Sequence, residues 1–201
     1  YTYTLRSLGT ADGTTVLSDC RAGKTATFLA TPVLTSAMYT DDVVKLAWEE
    51  TAGAEKYRVY RKTASTGWKA VKDVTTTSLT DTSVTSGTKY TYTVRAIRGN
   101  TISPYDTAGK TVLYLATPTL TGAASVSTGI KVTWTAVTGA ATYRVYRKVA
   151  GGSWSTLGDT ASASYLDQTA VAGKTYYYTV RAYTGNTMSS YNAAGISATA
   201  K

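Results

Sequence analysis

The stretch SGTKYTYTVRA, Ser86–Ala96, is the most specific piece of the chain. A glycine stands three residues before Tyr90. From there Tyr90, Tyr92, Val94 and Ala96 fall on one face, and Thr91, Thr93 and Arg95 on the other. Period two with one apolar face predicts a half-buried strand. The Gly-x-x-Tyr opening predicts a tyrosine corner, whose hydroxyl donates a bond to backbone a few residues upstream and pins the crossover between two sheets.

Working outward, the same words recur at a fixed distance. YRVYRK stands at Tyr57–Lys62 and again at Tyr143–Lys148. LATPVLT at Leu29 matches LATPTLT at Leu115; Trp48 matches Trp134, Trp68 matches Trp154, and Thr93–Ala96 matches Thr179–Ala182. Every offset is 86 without a gap, and 36 of 86 positions are identical. One fold is therefore written twice. A third, partial copy opens the chain: YTYTLRS at Tyr1 aligns with YTYTVRA at Tyr90, and AGKT at Ala22 with AGKT at Ala108. The expected units are residues 1–28, holding the last two strands of an earlier copy, then 29–114 and 115–201. In the partial copy Tyr1, Tyr3 and Leu5 are expected to face inward.

Composition agrees with an all-β reading. The 201 residues include 41 threonines and 17 tyrosines but one phenylalanine, and branched and aromatic side chains pack well on a pleated surface. VVKLAWE and IKVTWT alternate, with Val44, Leu46 and Trp48, or Ile130, Val132 and Trp134, on one face. In YRVYRK, Tyr57 and Val59 point inward and Arg58, Tyr60 and Lys62 outward. GWKAVKDV, SLTD and GKTVLY supply further strands. About seven strands in some 86 residues suit an immunoglobulin-like sandwich.

The opening Thr31–Pro32 and Thr117–Pro118, the second-strand Trp48 and Trp134, Tyr57 with Val59, and Gly87 with Tyr90 together resemble fibronectin type III modules. The YRVYRK wording and the Trp68 and Trp154 strands are similar to modules of Gram-positive surface and secreted proteins. The resemblance covers nearly the whole chain. It implies tandem seven-stranded immunoglobulin-like sandwiches that act as extracellular spacers beside adhesive or catalytic domains. Fold alone does not assign function.

Chemistry is sparse. There is no histidine, and common acid–base enzymes need one, or carboxylates held close together. The carboxylates shared by both copies are Asp73/Asp159 and Asp81/Asp167; Asp81 reads as a turn residue that bonds local backbone. Asp41–Asp42 and Glu49–Glu50 occur in one copy only, and calcium requires six or more oxygens from several segments. GNT at Gly99 and Gly185 is a turn, no RGD tripeptide occurs, and outward-facing lysines argue against a Lys–Asn cross-link. No catalytic residue, cofactor or metal is expected. Cys20 is the only cysteine, so no intrachain disulfide forms. The net charge of +9 is scattered, which suits a solvated basic surface better than a nucleic-acid site. No stretch approaches the ~18 consecutive apolar residues of a membrane span.

The best candidate surface is the outward face of the middle strands: Arg58, Tyr60, Lys62 and Arg95 in one copy, with Arg144, Tyr146, Lys148, Tyr177 and Arg181 in the other. Tyrosine beside arginine makes a flat amphipathic patch with cation–π contacts. Its plain reading is a cross-strand ladder; its sharper reading is a docking face for a glycan, an acidic polymer or another module. The expected role is a non-catalytic stalk or spacer of a bacterial surface or secreted protein, partnered by neighbouring modules of the same longer chain. The rivals are an adhesin or carbohydrate-binding repeat that engages a glycan or a host or cell-surface protein, and a strand-exchanging homopolymer.

Overall fold

The computed structural model describes residues 2–12, 14–20, 22–25 and 27–201, and no helix occurs among them. In chain order the strands are β1 (Thr2–Tyr3), β2 (Leu8–Ala11), β3 (Thr14–Leu17) and β4 (Lys24–Thr25). Next come β5 (Leu34–Thr40), β6 (Val43–Trp48), β7 (Lys56–Thr63), β8 (Thr66–Val74), β9 (Ser78–Asp81), β10 (Lys89–Arg98), β11 (Thr101–Ile102) and β12 (Lys110–Leu113). The same order returns as β13 (Leu120–Val126), β14 (Gly129–Trp134), β15 (Thr142–Lys148), β16 (Ser155–Thr160), β17 (Ser164–Asp167), β18 (Thr175–Thr184), β19 (Thr187–Met188) and β20 (Ile196–Thr199).

Each full unit is two antiparallel sheets. One has the order β5-β6-β9, repeated as β13-β14-β17; the other has β8-β7-β10 with β11 and β12 both on β10, repeated by β15, β16, β18, β19 and β20. Seven strands per unit match the alternation pattern, and the two-residue β11 and β19 extend the hairpin after β10 and β18. The faces that alternation marked apolar meet between the sheets. Leu34, Val44, Leu46, Trp48 and Leu79 pack against Tyr57, Val59, Tyr90, Tyr92, Val94, Ala96 and Val112. Ile130, Val132 and Trp134 do so against Tyr143, Val145, Tyr176, Tyr178, Val180 and Ala182. Trp48 and Trp134 stack edge-on against Tyr57 and Tyr143 at 5.5 and 5.3 Å. Neither buried indole Nε1 has a hydrogen-bond partner among the described residues, a cost of about 1–3 kcal/mol that the apolar burial of the ring offsets.

The tyrosine corners form with reversed polarity. The Tyr90 hydroxyl accepts from the Thr85 N–H at 2.9 Å, and that of Tyr176 from the Val171 N–H at 3.3 Å. The hydroxyl was expected to donate; it accepts because the chain entering the strand presents its N–H groups, not its carbonyls, to the ring. A second pair does the same in the turn before β7 and β15: Tyr57 and Tyr143 accept from Thr51 N–H and Val137 N–H at 2.8 Å.

Asp81 does cap a local turn, accepting from the Ser83 N–H and hydroxyl at 2.9 and 2.7 Å. It is also a buried charge. Arg61 Nη1 and the Tyr92 hydroxyl both donate to its second oxygen, at 2.6 and 2.9 Å. Asp167 repeats this with Thr169, Arg147 and Tyr178. Burial alone raises the pKa of both carboxyls, but these bonds, with the Arg61 charge added at Asp81, outweigh it and hold them below 3.8. The Tyr92 and Tyr178 hydroxyls are driven far up, first by burial and then by the aspartate they bond.

The units abut without a linker. Leu115 is 1% exposed. Ser86 Oγ accepts from the Ala116 N–H at 2.9 Å and donates to Thr138 O at 2.8 Å. The Asp42 carboxylate accepts from the Thr117 N–H at 2.7 Å and the Tyr114 hydroxyl at 3.3 Å. Burial, with Asp42 beside it, pushes the Tyr114 hydroxyl up to about 12. Gly87 and Gly139 touch backbone to backbone at φ +78° and +86°, where a Cβ on Gly139 would collide with Gly87 Cα.

In the opening segment β1 pairs with β4 in the register Tyr3↔Lys24, which is that of Tyr92↔Lys110 in the next unit. Tyr3 and Leu5 are nevertheless 62% and 89% exposed, contrary to the inward orientation expected of them. A ribbon of two strands has no second layer to bury one of its faces. Tyr1 lies outside the described residues.

Candidate functional site: an aromatic groove on the outer face

β7 and β10 pair as expected, with Lys62 opposite Thr91, Tyr60 opposite Thr93 and Arg58 opposite Arg95. Their outer face is nevertheless not a flat ladder. Two neighbouring elements build walls on it.

The first wall comes from a β-bulge in β8. Val59 pairs with Lys72 but Tyr60 with Ala70, so Val71 is the extra residue. A bulge reverses the facing of everything beyond it. Val71 therefore packs on the core, while Trp68 joins Asp73 on the outer face although the two are five residues apart. Leu157 and Trp154 repeat the device in β16. The Trp rings are clamped from one side by lysine, with Lys62 Nζ 4.5 Å from the Trp68 ring and Lys148 Nζ 4.6 Å from that of Trp154. Gly109 and Gly195, at φ +64° and +70°, let the last strand pass under the Trp tip: a Cβ on Gly195 would sit 2.6 Å from Tyr178 O and 2.8 Å from Trp154 Cη2.

The second wall is the loop after β11. Ser103, 1% exposed, accepts from the Ala96 N–H at 2.9 Å with its hydroxyl and donates to Pro104 O at 2.7 Å. Ser189 does the same against Ala182 and Ser190. The loop is thereby folded onto the sheet, where Thr93 and Thr179 donate to Asp106 O and Asn192 O. That fold buries these two outward threonines and lays Tyr105 and Tyr191 against Arg95 and Arg181, at 5.4 and 4.5 Å.

The result is one groove per unit. In the first, Tyr60, Trp68, Thr93, Arg95 and Tyr105 enclose about 160 Å³. In the second, Tyr146, Trp154, Thr179, Arg181, Met188 and Tyr191 enclose about 270 Å³. Of the residues expected on this face, the structure brings Tyr60 with Arg95 and Tyr146 with Arg181. It places Arg58 and Arg144 in bidentate ion pairs with Asp73 and Asp159, at 2.6–2.9 Å. Hydrogen bonding to Arg58 holds the Asp73 carboxyl down at about 2, and Arg144 lowers that of Asp159. Lys62, Lys148 and Tyr177 stand behind the Trp rings, with Tyr177 5.9 Å from Lys148 Nζ. Trp68, Trp154, Tyr105, Tyr191 and the serines that fold the loop were missed. Their signal was the exact repetition of W, S and Y at the 86-residue period outside the alternating strands. A larger depression of about 370 Å³ lies beside Arg61 and Lys69, but Arg61 is already committed to Asp81. Among the described residues no group of three or more His, Cys, Asp or Glu is placed to hold a metal.

No family model matches the chain. It is 32% identical over 213 aligned residues to exoglucanase B of Cellulomonas fimi, an alignment covering 90% of this chain and 18% of that protein. It is 37% identical to poly(3-hydroxybutyrate) depolymerase of Ralstonia pickettii, over 39% of this chain and 15% of that one. Amylopullulanase of Thermoanaerobacter thermohydrosulfuricus is 35% identical over 45% of this chain and 6% of its own length. The chain thus spans less than a fifth of these relatives. Among solved structures, it is similar to a two fibronectin type-III domain segment from chicken tenascin, at 19% identity and a TM-score of 0.47, covering 85% and 97% of the two chains. It is also similar to the FN1–FN3 domains of chicken CNTN1, at 16% identity and a TM-score of 0.41, covering 86% and 66%. With a three-stranded sheet facing a five-stranded one in both full units, and a tyrosine corner in each, the chain has the all-β fold of tandem immunoglobulin-like sandwiches of the fibronectin type III kind.

Proposed function

We propose that the chain is a non-catalytic connecting segment of an extracellular bacterial protein, holding domains on either side of it at a set spacing. The observation that carries this reading is the junction. Leu115 is buried, Ser86 bridges the two units, and Asp42 ties the first to Thr117, just ahead of the opening strand of the second. A joint with no free residues between its partners limits hinge motion, unlike a flexible Gly/Ser linker. The relatives support the setting, since all three are bacterial and are named for enzymes that act on polymers.

Small-angle scattering and ¹⁵N relaxation on the intact chain test it. The two full units should tumble as one elongated body, and a six-residue Gly/Ser insertion between Ala116 and Thr117 should release them to reorient separately. Independent tumbling of the unmodified units overturns the spacer reading. Release of soluble product from cellulose, pullulan or poly(3-hydroxybutyrate) by the purified chain overturns its non-catalytic part.

A further inference from the structure

Six aromatic rings line the two outer grooves, and none belongs to either hydrophobic core. We propose that these grooves bind a neutral polysaccharide, with pyranose rings stacked on the aromatic walls, and that the polymer runs from the second groove across the module junction. This goes beyond the spacer reading and does not depend on it.

Three observations select this occupant. The walls offer the faces of Tyr and Trp with their hydroxyl and indole N–H edges, and a guanidinium stands among them, the floor threonine being buried and bonded to the folded loop. That combination suits a ligand with apolar faces and a polar rim, which describes a pyranose. Ser189 O takes one of the five N–H donors of Arg181, and the guanidinium lies 4.5 Å above the Tyr191 ring, at the groove wall. Next, among the described residues no carboxylate lines either groove, so Arg95 and Arg181 are not neutralised there, whereas the outward Arg58 and Arg144 are paired with Asp73 and Asp159. Each groove still holds three aromatic rings to one guanidinium, itself laid against a Tyr ring, a lining that favours a neutral ligand over an acidic one. Finally, the groove recurs at the module period, as a binding site for a repeating polymer should, and weak sites on rigidly joined modules add through effective concentration.

The path across the junction follows from a second cavity, of about 430 Å³, which shares Arg181, Met188 and Tyr191 with the groove and which Tyr39 and Asp41 of the preceding unit close. The Asp41 N–H donates to Ser190 Oγ at 3.1 Å, so the two units meet at the floor of this cleft. A polymer leaving the groove along Tyr191 enters it directly.

The test is an NMR titration of the intact 201-residue chain with cellohexaose and with maltohexaose, read at the four tryptophan indole N–H signals. Trp68 and Trp154 should shift with at least one of the sugars, while the buried Trp48 and Trp134 stay in place and report an intact fold. Tyr191→Ala should weaken the Trp154 response about tenfold, the worth of one aromatic contact, and leave that of Trp68 unchanged. Tyr39→Ala should weaken the Trp154 response about threefold if the junction is part of the path. Shifts should survive 0.5 M NaCl. Silence at millimolar concentrations of both sugars overturns the proposal. So does a response only to a proline-rich decapeptide, or one abolished by the added salt.

Discussion

The two grooves are made of the same residues 86 positions apart, yet one encloses about 160 Å³ and the other about 270 Å³. The cores beneath them are close copies, so the difference arises at the rim. In the second unit the Tyr146 hydroxyl meets that of Tyr183 at 3.2 Å. The equivalent position in the first unit is Ile97, buried and unable to bond. Trp68 and Tyr105 make an edge-on contact at 6.0 Å across the first groove. Met188 lines the second where Ile102 stands in the first. The lesson is that the scaffold is held by buried hydrogen bonds common to both units, while the groove is tuned by side chains that the scaffold does not require.

That contrast breaks most severely at the shared scaffold. Asp81→Ala and Asp167→Ala should each destabilise their own unit by about 3–5 kcal/mol, because each leaves a partly buried arginine and a buried tyrosine hydroxyl unpaired; denaturation of each unit followed by tryptophan fluorescence checks it. The same groups set the pH limits. The folded Asp81 and Asp167 carboxyls lie below 3.8, so their contribution is complete above that value and is lost as pH falls through the lower folded pKa. Tyr92 and Tyr178 lie above 10.0 when folded, so theirs is complete below pH 10 and is lost at still higher pH. Wild-type stability should fall at both extremes, and a unit carrying the aspartate substitution should show a flatter acid limb.

A smaller effect is expected at the groove wall. Gly195→Ala places a Cβ against Tyr178 O and the Trp154 ring at φ +70°, which should cost about 1–3 kcal/mol and move the Trp154 indole signal while leaving Trp68 in place. Tyr90→Phe should cost about 1 kcal/mol, by stranding the Thr85 N–H. Tyr176→Phe should cost less, because its bond is longer, 3.3 Å against 2.9 Å. Smallest in stability, but sharpest for the comparison, is Tyr183→Ile with its converse Ile97→Tyr. Each should change stability by no more than about 0.5 kcal/mol. Crystal structures of the pair should show the second groove shrinking and the first opening. In the Tyr183→Ile protein the Tyr146 pKa, raised by burial and then by Tyr183, should move back toward 10.0.

The local pattern by itself determined the strands, the inward faces and the repeat. Period two is a property of neighbouring residues, so Trp48, Tyr57, Tyr90 and their partners 86 positions on could be placed in a core from alternation alone. That Arg58, Tyr60 and Lys62 share the outer face with Thr91, Thr93 and Arg95 followed in the same way. Only the tertiary structure decided the rest. The bulges at Val71 and Leu157 reverse the alternation midway along β8 and β16, and nothing in GWKAVKDV announces where. Ser103 and Ser189 fold a loop back over a sheet by bonding residues seven positions earlier. Asp81 becomes a buried anion because Arg61 and Tyr92, from two other strands, converge on it. Each of these rests on groups distant in sequence brought within hydrogen-bond reach, and it is such contacts, invisible to a two-residue period, that turn a plain ladder into a walled groove.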